Sequence, residues 1–309
     1  MSAIVTPPRV AIGPGHGDFA VDAVRAGGGV PAEADSAADA LIWLSPADTE
    51  GLRSALSATS ARWVQLSSAG VELVLAAGLF DQDRTWTSAK RIYAEPVAEH
   101  ALLLALAGLR SLRQRVDARS WGPPGGESLY DEPVTILGGG GITAKLLELL
   151  APFRVNATVV RRRPDPVAGA RQTLPAAMLP VALSDARVVF LALALTPETE
   201  RIIGAAQLSA MRPDGWLVNV ARGQHVDTDA LATALGRGEI GGAALDVTDP
   251  EPLPDGHPLW TLERCIITPH TADTPEMTRR PLALRIRDNV ARFAAGEPLA
   301  GVVDPIAGY

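Results

Sequence analysis

Three side chains stand out for the chemistry they could do together. Arg222 lies in "LVNVARGQHVDTDAL", Glu251 in "ALDVTDPEPLPDGHPLW" and His270 in "CIITPHTADTPEM". Each stretch opens with a short apolar run that reads as a buried strand. Each polar residue therefore falls at or just past a strand's carboxyl end, the edge where open α/β sheets bind ligands. An imidazole titrates near pH 6.5, and a neighbouring carboxylate favours its charged form. A guanidinium keeps its charge and can anchor an anion or stabilise negative charge developing on oxygen. The set suits reduction of a carbonyl, in which oxygen gains negative charge and must receive a proton. Singly, each residue could be an ordinary loop side chain; their order and shared position at strand ends carry the reading. His16, His100, His225 and His257 lack such support, and His100 is placed in or beside a helix near a domain boundary. Trp260 in "HPLW" reads as packing rather than as a pocket wall.

A reduction needs a hydride donor, and "VTILGGGGIT" (Val134–Thr143) has the pattern of a dinucleotide cradle. Gly138 permits a tight turn, and Gly140 lets the backbone approach a pyrophosphate. The helix that follows, opening at Gly141 and Ile142, offers free N–H groups to the anion. The last position of a full G-x-G-x-x-G holds Thr143, so this helix is expected to sit slightly away from its strand. The second strand ends "TVVRRRPDP", with Arg161 and Arg162 where an acid would bind a ribose hydroxyl. Guanidiniums there suit a 2′-phosphate, which favours NADP over NAD.

The elements that must position these groups follow a βα alternation. In the first ~95 residues, 9–12, 40–44 and 62–66 read as strands, and 48–58 and 71–79 as helices. Trp121–Pro133 is an irregular Gly/Pro connection. Six strands are then expected at 134–137, 157–160, 188–193, 217–220, 243–247 and 265–268, as two βαβαβ halves require. Ile142, Leu146, Leu149 and Leu150 line one helix face, and Asp227 caps another helix. The tail Thr274–Gly296 reads as a helix carrying Leu284, Ile286, Val290 and Phe293, packed back on the N-terminal unit.

Bulk properties agree. The 309 residues suit about two domains; 47% are hydrophobic and 20% charged. Net charge −7 does not favour nucleic acid, and no segment is apolar enough for a signal peptide or a membrane span. A single cysteine, Cys265, excludes an intrachain disulfide framework and a Cys-rich metal site, and fits the cytoplasm.

The Gly-rich turn with the Arg, Glu and His segments resembles the D-isomer-specific 2-hydroxyacid dehydrogenases; "VQLSSAGVELVL" and "YAEPVAEHALL" extend the likeness. The resemblance implies that Arg222 binds the substrate carboxylate and polarises its carbonyl, that Glu251 pairs with His270, and that His270 donates the proton. It implies that Asp246 lies near the nicotinamide. Backbone N–H groups of Ser68, Ala69 and Gly70 would meet the substrate carboxylate, and the loop with Thr196 would pass the cofactor. Ala194 replaces a proline common in that loop. The expected architecture is an α/β chain of two domains. A Rossmann-type doubly wound sheet occupies 98–275, and a discontinuous flavodoxin-like substrate domain comprises 1–97 and 276–309. The active site is expected in the cleft between them, without a metal. Implied partners are a small anionic 2-oxo or 2-hydroxy acid, glyoxylate or hydroxypyruvate first, and a second copy through the helix near 98–113. A 3-phosphoglycerate dehydrogenase-like enzyme and a non-catalytic NAD(P)H-sensing protein stay open. Glutamine where Glu251 stands would have marked a formate dehydrogenase.

Overall fold

Short apolar runs become strands and the polar-faced segments between them become helices. A computed structural model describes residues 6–15 and 17–305; His16 lies outside them. In chain order the elements begin β1 (Arg9–Gly13), α1 (Asp18–Ala26), β2 (Val30–Ala32), β3 (Ala40–Trp43), α2 (Thr49–Ala58), β4 (Trp63–Leu66), α3 (Glu72–Ala76) and β5 (Thr85–Thr87). Then come α4 (Ala94–Leu109), α5 (Leu112–Asp117), β6 (Pro133–Leu137), α6 (Gly141–Leu150), β7 (Asn156–Arg161), β8 (Gln172–Pro175), α7 (Leu179–Asp185) and β9 (Val188–Leu191). The series ends with α8 (Ala205–Ala210), β10 (Trp216–Asn219), α9 (Thr228–Arg237), β11 (Gly242–Leu245), β12 (Cys265–Ile267) and α10 (Pro275–Ala295). The chain divides into two units, Met1–Tyr93 with Thr274–Tyr309, and Ala94–Asp273.

The first unit holds a parallel five-stranded sheet in the order β2-β1-β3-β4-β5, the doubly wound order of flavodoxin-like folds. Strand β3 shows why both faces must be covered: Ala40 and Ile42 point into one core, Leu41 and Trp43 into the other. The C-terminal helix α10 belongs to this unit. It buries Leu282, Ile286 and Val290 beside Val10, Val24 and Trp63, each contributing about 1.5–3 kcal/mol. Those three recur at i, i+4 and i+8. Leu284, expected on the stripe, lies two residues off it and is exposed.

The second unit holds a parallel seven-stranded sheet, β12-β11-β10-β9-β6-β7-β8. Six strands were expected; the seventh is β8. Strand β6 pairs with β7 on one side and β9 on the other, so the chain reverses its order of addition there. A ligand crevice forms at such a switch point, and the Gly-rich turn follows β6. Strand β9 buries Val188 and Phe190 on one face, and Val189 and Leu191 on the other. Asp227 caps α9 by accepting from Ala230 N at 3.0 Å, a contact that stabilises the helix by about 1 kcal/mol.

Candidate active site

The turn after β6 is built for close approach. Gly138 takes φ +105°, where an L side chain is strained. A Cβ there would also strike the Ala192 carbonyl at the end of β9. Gly138 N donates to Val160 O at 2.8 Å, holding the turn against β7. A Cβ on Gly140 would meet nothing within 4 Å, so the far side of the turn is open. Helix α6 starts at Gly141 and Ile142 with no side chain capping it, leaving its first amides to an anion. Thr143, in place of the third glycine, is fully buried, and its hydroxyl donates to Gly138 O at 2.9 Å. The branched side chain is accommodated inside and ties the first turn of α6 to the glycine turn.

Arg161 ends β7 and lies over this turn: a Cβ on Gly139 would stand 2.9 Å from its Cδ and 3.1 Å from its Nε. Arg162 is exposed, and its charge faces Glu198 in the loop after β9. The Thr196 hydroxyl beside Glu198, with help from Arg162, holds that carboxyl below the usual range. Thr199 organises the same loop, its hydroxyl accepting from Thr196 N at 2.8 Å and donating to Ala194 O at 2.8 Å. This threonine shapes a loop that lacks the common proline. The open turn, the uncapped helix and the adjacent cation fit a dinucleotide pyrophosphate with a phosphorylated ribose.

The acid–base group assembles at the carboxyl ends of β10, β11 and β12. His270 Nδ1 lies 2.6 Å from Glu251 Oε1, so Nδ1–H donates to the carboxylate and Nε2 remains the atom for a substrate. Both side chains are about 40% exposed, His270 at 43% and Glu251 at 40%. His270 takes φ +50°, uncommon for a non-glycine residue and a sign of a constrained position. The loop is held from beneath by Asp246. Its carboxylate accepts from Thr268 Oγ1 at 2.6 Å, Thr271 N at 2.9 Å and Ala272 N at 3.1 Å, and its carbonyl accepts from His270 N at 2.8 Å. Burial opposes charge on Asp246, but hydrogen bonds from His100, Thr268, Thr271 and Ala272 outweigh it and hold the carboxyl below the ordinary range.

Arg222 follows β10. Asn219 Nδ2 donates to its carbonyl at 2.9 Å, and its own Nη1 donates to Ala221 O at 2.6 Å. A Cβ on the next residue, Gly223, would collide with the Thr248 carbonyl. Only glycine lets the arginine loop pack against the loop that bears Glu251. Asp273 completes the group. Burial raises its carboxyl above the usual range, while the charges of His270 and Arg222 pull the other way. The native state thus binds this proton more tightly than the unfolded chain. Any stability cost is absent below about pH 3.8 and grows as pH rises toward the native value.

Residues 100–272 match the family model of the D-isomer specific 2-hydroxyacid dehydrogenases, NAD binding domain. The chain belongs to this family. An uncharacterized protein of Corynebacterium melassecola is 42% identical over 80% of this chain and 84% of its own. The human glyoxylate reductase/hydroxypyruvate reductase is 32% identical over 67% of this chain and 66% of its own. A D-isomer specific 2-hydroxyacid dehydrogenase from Xanthobacter autotrophicus Py2, solved with NADPH and MES, superposes with a TM-score of 0.84 at 26% identity, over 98% of this chain and 100% of that one.

Within this 2-hydroxyacid dehydrogenase the remaining residues singled out by sequence fall as follows. Ser68, Ala69 and Gly70 follow β4, and Ser68 Oγ donates to Gly70 O at 2.6 Å. His225 is fully buried, with Nδ1 2.9 Å from Thr199 O, and so braces the Thr196 loop. His257 Nδ1 accepts from Leu259 N at 3.3 Å in a local turn. Trp260 is not core: the residue is 40% exposed, and its indole N–H donates to Pro254 O at 3.0 Å. Its polar edge is satisfied locally, so the ring lies on a loop surface. Sequence reasoning missed Asp273, Thr268 and the part played by His100. The signal was the unusual acid in "PHTAD", but nothing in the pattern told it from a solvated aspartate. Among the described residues no cluster of His, Cys, Asp or Glu could hold a metal ion, and no helix is long and apolar enough to cross a membrane.

Proposed function

We propose that the chain reduces small 2-oxo acids to D-2-hydroxy acids with NADPH, glyoxylate and hydroxypyruvate leading. The observation that carries this reading is the 2.6 Å His270–Glu251 pair at the same sheet edge as an open glycine turn with Arg161 over it. When bound, the nicotinamide supplies the hydride. Gly138, Gly140, Gly141 and Ile142 would receive the pyrophosphate, with Thr196 passing the cofactor. His270 delivers its Nε2 proton to the carbonyl oxygen that takes on charge. Glu251 fixes the ring through Nδ1 and stabilises the imidazolium. Arg222 holds the substrate carboxylate and polarises the carbonyl, and the backbone of Ser68, Ala69 and Gly70 is assigned to the same carboxylate. Asp246 belongs to the nicotinamide end of the site, acting through the loop that it anchors.

Fluorescence titration with NADPH, followed by turnover of a 2-oxo acid panel, tests the reading. Turnover of glyoxylate or hydroxypyruvate supports it. NADPH binding with no turnover of any 2-oxo acid would make the chain a nucleotide sensor, and preference for phosphohydroxypyruvate would make it 3-phosphoglycerate dehydrogenase-like.

Arg161 favours NADPH because a guanidinium can pair with a 2′-phosphate. Arg161→Ser is expected to weaken NADPH binding by about tenfold or more, the worth of one charge-assisted contact, and to leave NADH nearly unchanged. Equal Kd values for NADPH in the two proteins would reject the assignment.

The homodimer and the cytoplasm complete the proposal. Leu104 and Leu109 of α4 are buried, whereas Leu103, and beyond it Leu112, Val116 and Trp121, are exposed. A surface that apolar is expected to be covered by a second copy. Light scattering should then report twice the 32.3 kDa chain mass; a monomer at micromolar concentration would rule the dimer out.

A further inference from the structure

His270 is not the only imidazole tied to a carboxylate here. His100 on α4 places Nε2 3.0 Å from Thr268 Oγ1 and 3.3 Å from Asp246 Oδ1, and its side chain is largely buried. The proton inventory fixes its role. Thr268 spends its hydroxyl hydrogen on Asp246 Oδ1 at 2.6 Å. An ionised carboxylate only accepts. The hydrogen between His100 and both neighbours therefore sits on Nε2, and the imidazole donates to them.

The pair differs from His270–Glu251 in where it lies. Asp246 is 1% exposed in its side chain and His100 13%, whereas the outer pair is open to solvent. Asp246 in turn holds Thr268, Thr271 and Ala272, and through its carbonyl the amide of His270. Asp246 is the carboxylate at His100; Glu251 holds His270, and the charges of His270 and Arg222 both act on Asp273. One helix thus reaches the ends of β11 and β12 through a single imidazole.

We propose that His100 is a positioning residue for His270: its Nε2–H completes the buried Asp246–Thr268 network that fixes the loop from Thr268 to Asp273. This rests on the functional reading only in taking His270 as the proton donor; the brace itself is geometric. Without the donor, Asp246 and Thr268 face a gap, the loop relaxes, and the His270 ring leaves its place against Glu251. Misplacement of a reacting group by ~1 Å can cost about 10²-fold in rate.

Two variants of the full chain test the inference. His100→Leu keeps the bulk and removes the donor; His100→Gln restores an N–H at similar reach. His100→Leu should lower kcat by about 10–100-fold with KM for NADPH unchanged, and His100→Gln should recover most of the loss. Hydrogen–deuterium exchange of residues 268–273 is read in parallel, without substrate. It should quicken in His100→Leu and stay near wild type in His100→Gln. Wild-type kcat and wild-type exchange in His100→Leu would overturn the brace. So would an equal loss in both variants with an equal fall in Tm, which would mean packing alone. If the wild-type chain turns over no 2-oxo acid, the functional reading fails by itself, and the exchange data still decide the brace: quickening in Leu but not in Gln upholds it, and identical exchange rejects it.

Discussion

His270→Ala is expected to lower 2-oxo acid reduction by about 10²–10⁴-fold, the usual worth of a positioned general acid, while leaving the Kd for NADPH unchanged. The reason is positional. Nδ1 is committed to Glu251 at 2.6 Å, so Nε2 is the one ring atom able to hand a proton to a carbonyl oxygen. The glycine turn after β6 and Arg161 at the end of β7 lie on other segments and are untouched by the change. Glu251→Gln should cost less, because an amide still accepts from Nδ1–H but no longer offsets the charge on the imidazolium. Steady-state turnover with a parallel NADPH titration checks both parts. Wild-type turnover in His270→Ala would remove histidine from the chemistry, and a matching loss of NADPH affinity would mean that the loop, not the proton, had failed.

The second large effect is at Arg222. Arg222→Ala should lower kcat by about 10²–10³-fold, as for the loss of a donor to a developing oxyanion, and should also raise KM for the anionic substrate. Arg222→Lys should rescue little, because one ammonium cannot reproduce a planar fork that meets a carboxylate and a carbonyl together. The backbone of this loop is fixed whatever side chain stands at 222, because Asn219 holds the Arg222 carbonyl at 2.9 Å and Gly223 packs where any Cβ would strike the Thr248 carbonyl, so the two variants compare side chains alone. Kinetics of both variants with glyoxylate and hydroxypyruvate make the comparison. A change confined to KM would show that Arg222 only binds substrate, and full activity in Arg222→Lys would show that charge alone suffices.

Which elements could be read from sequence follows from where they sit in the sheets. Strands buried on both faces, such as β3 and β9, are continuous apolar runs and announce themselves. The strands that sequence reading missed, β2, β5 and β8, are all at sheet edges. "VPA", "TWT" and "QTLP" are short or polar because an edge needs less covering and must discourage further pairing. Helix α10 showed the limit of periodicity: its length was readable, but Leu284 was assigned to a face it does not occupy.

The site divides in the same way. Arg222, Glu251 and His270 are legible because strand ends converge and each residue type has a distinct task. The His270–Glu251 contact was implied by the resemblance, and it is present. The network beneath was not readable. Asp246 and His100 are 146 residues apart in a chain numbered 100 and 246 at the two positions, and only the packing of α4 across β11 brings them together. Thr143 made the same point in miniature. The missing glycine predicts a looser helix; the hydroxyl adds what no residue pattern announces, a bond to Gly138 O that no glycine could make.

Hydride from NADPH is expected to reach one face of the carbonyl carbon of a 2-oxo acid while His270 protonates the oxygen. The most direct measurement is to incubate the wild-type chain with NADPH and hydroxypyruvate and resolve the product by chiral chromatography. D-glycerate is expected, one molecule for each NADPH oxidised, with about a hundredth as much or less from His270→Ala on the same timescale. L-glycerate, or NADPH consumption without glycerate, would contradict it.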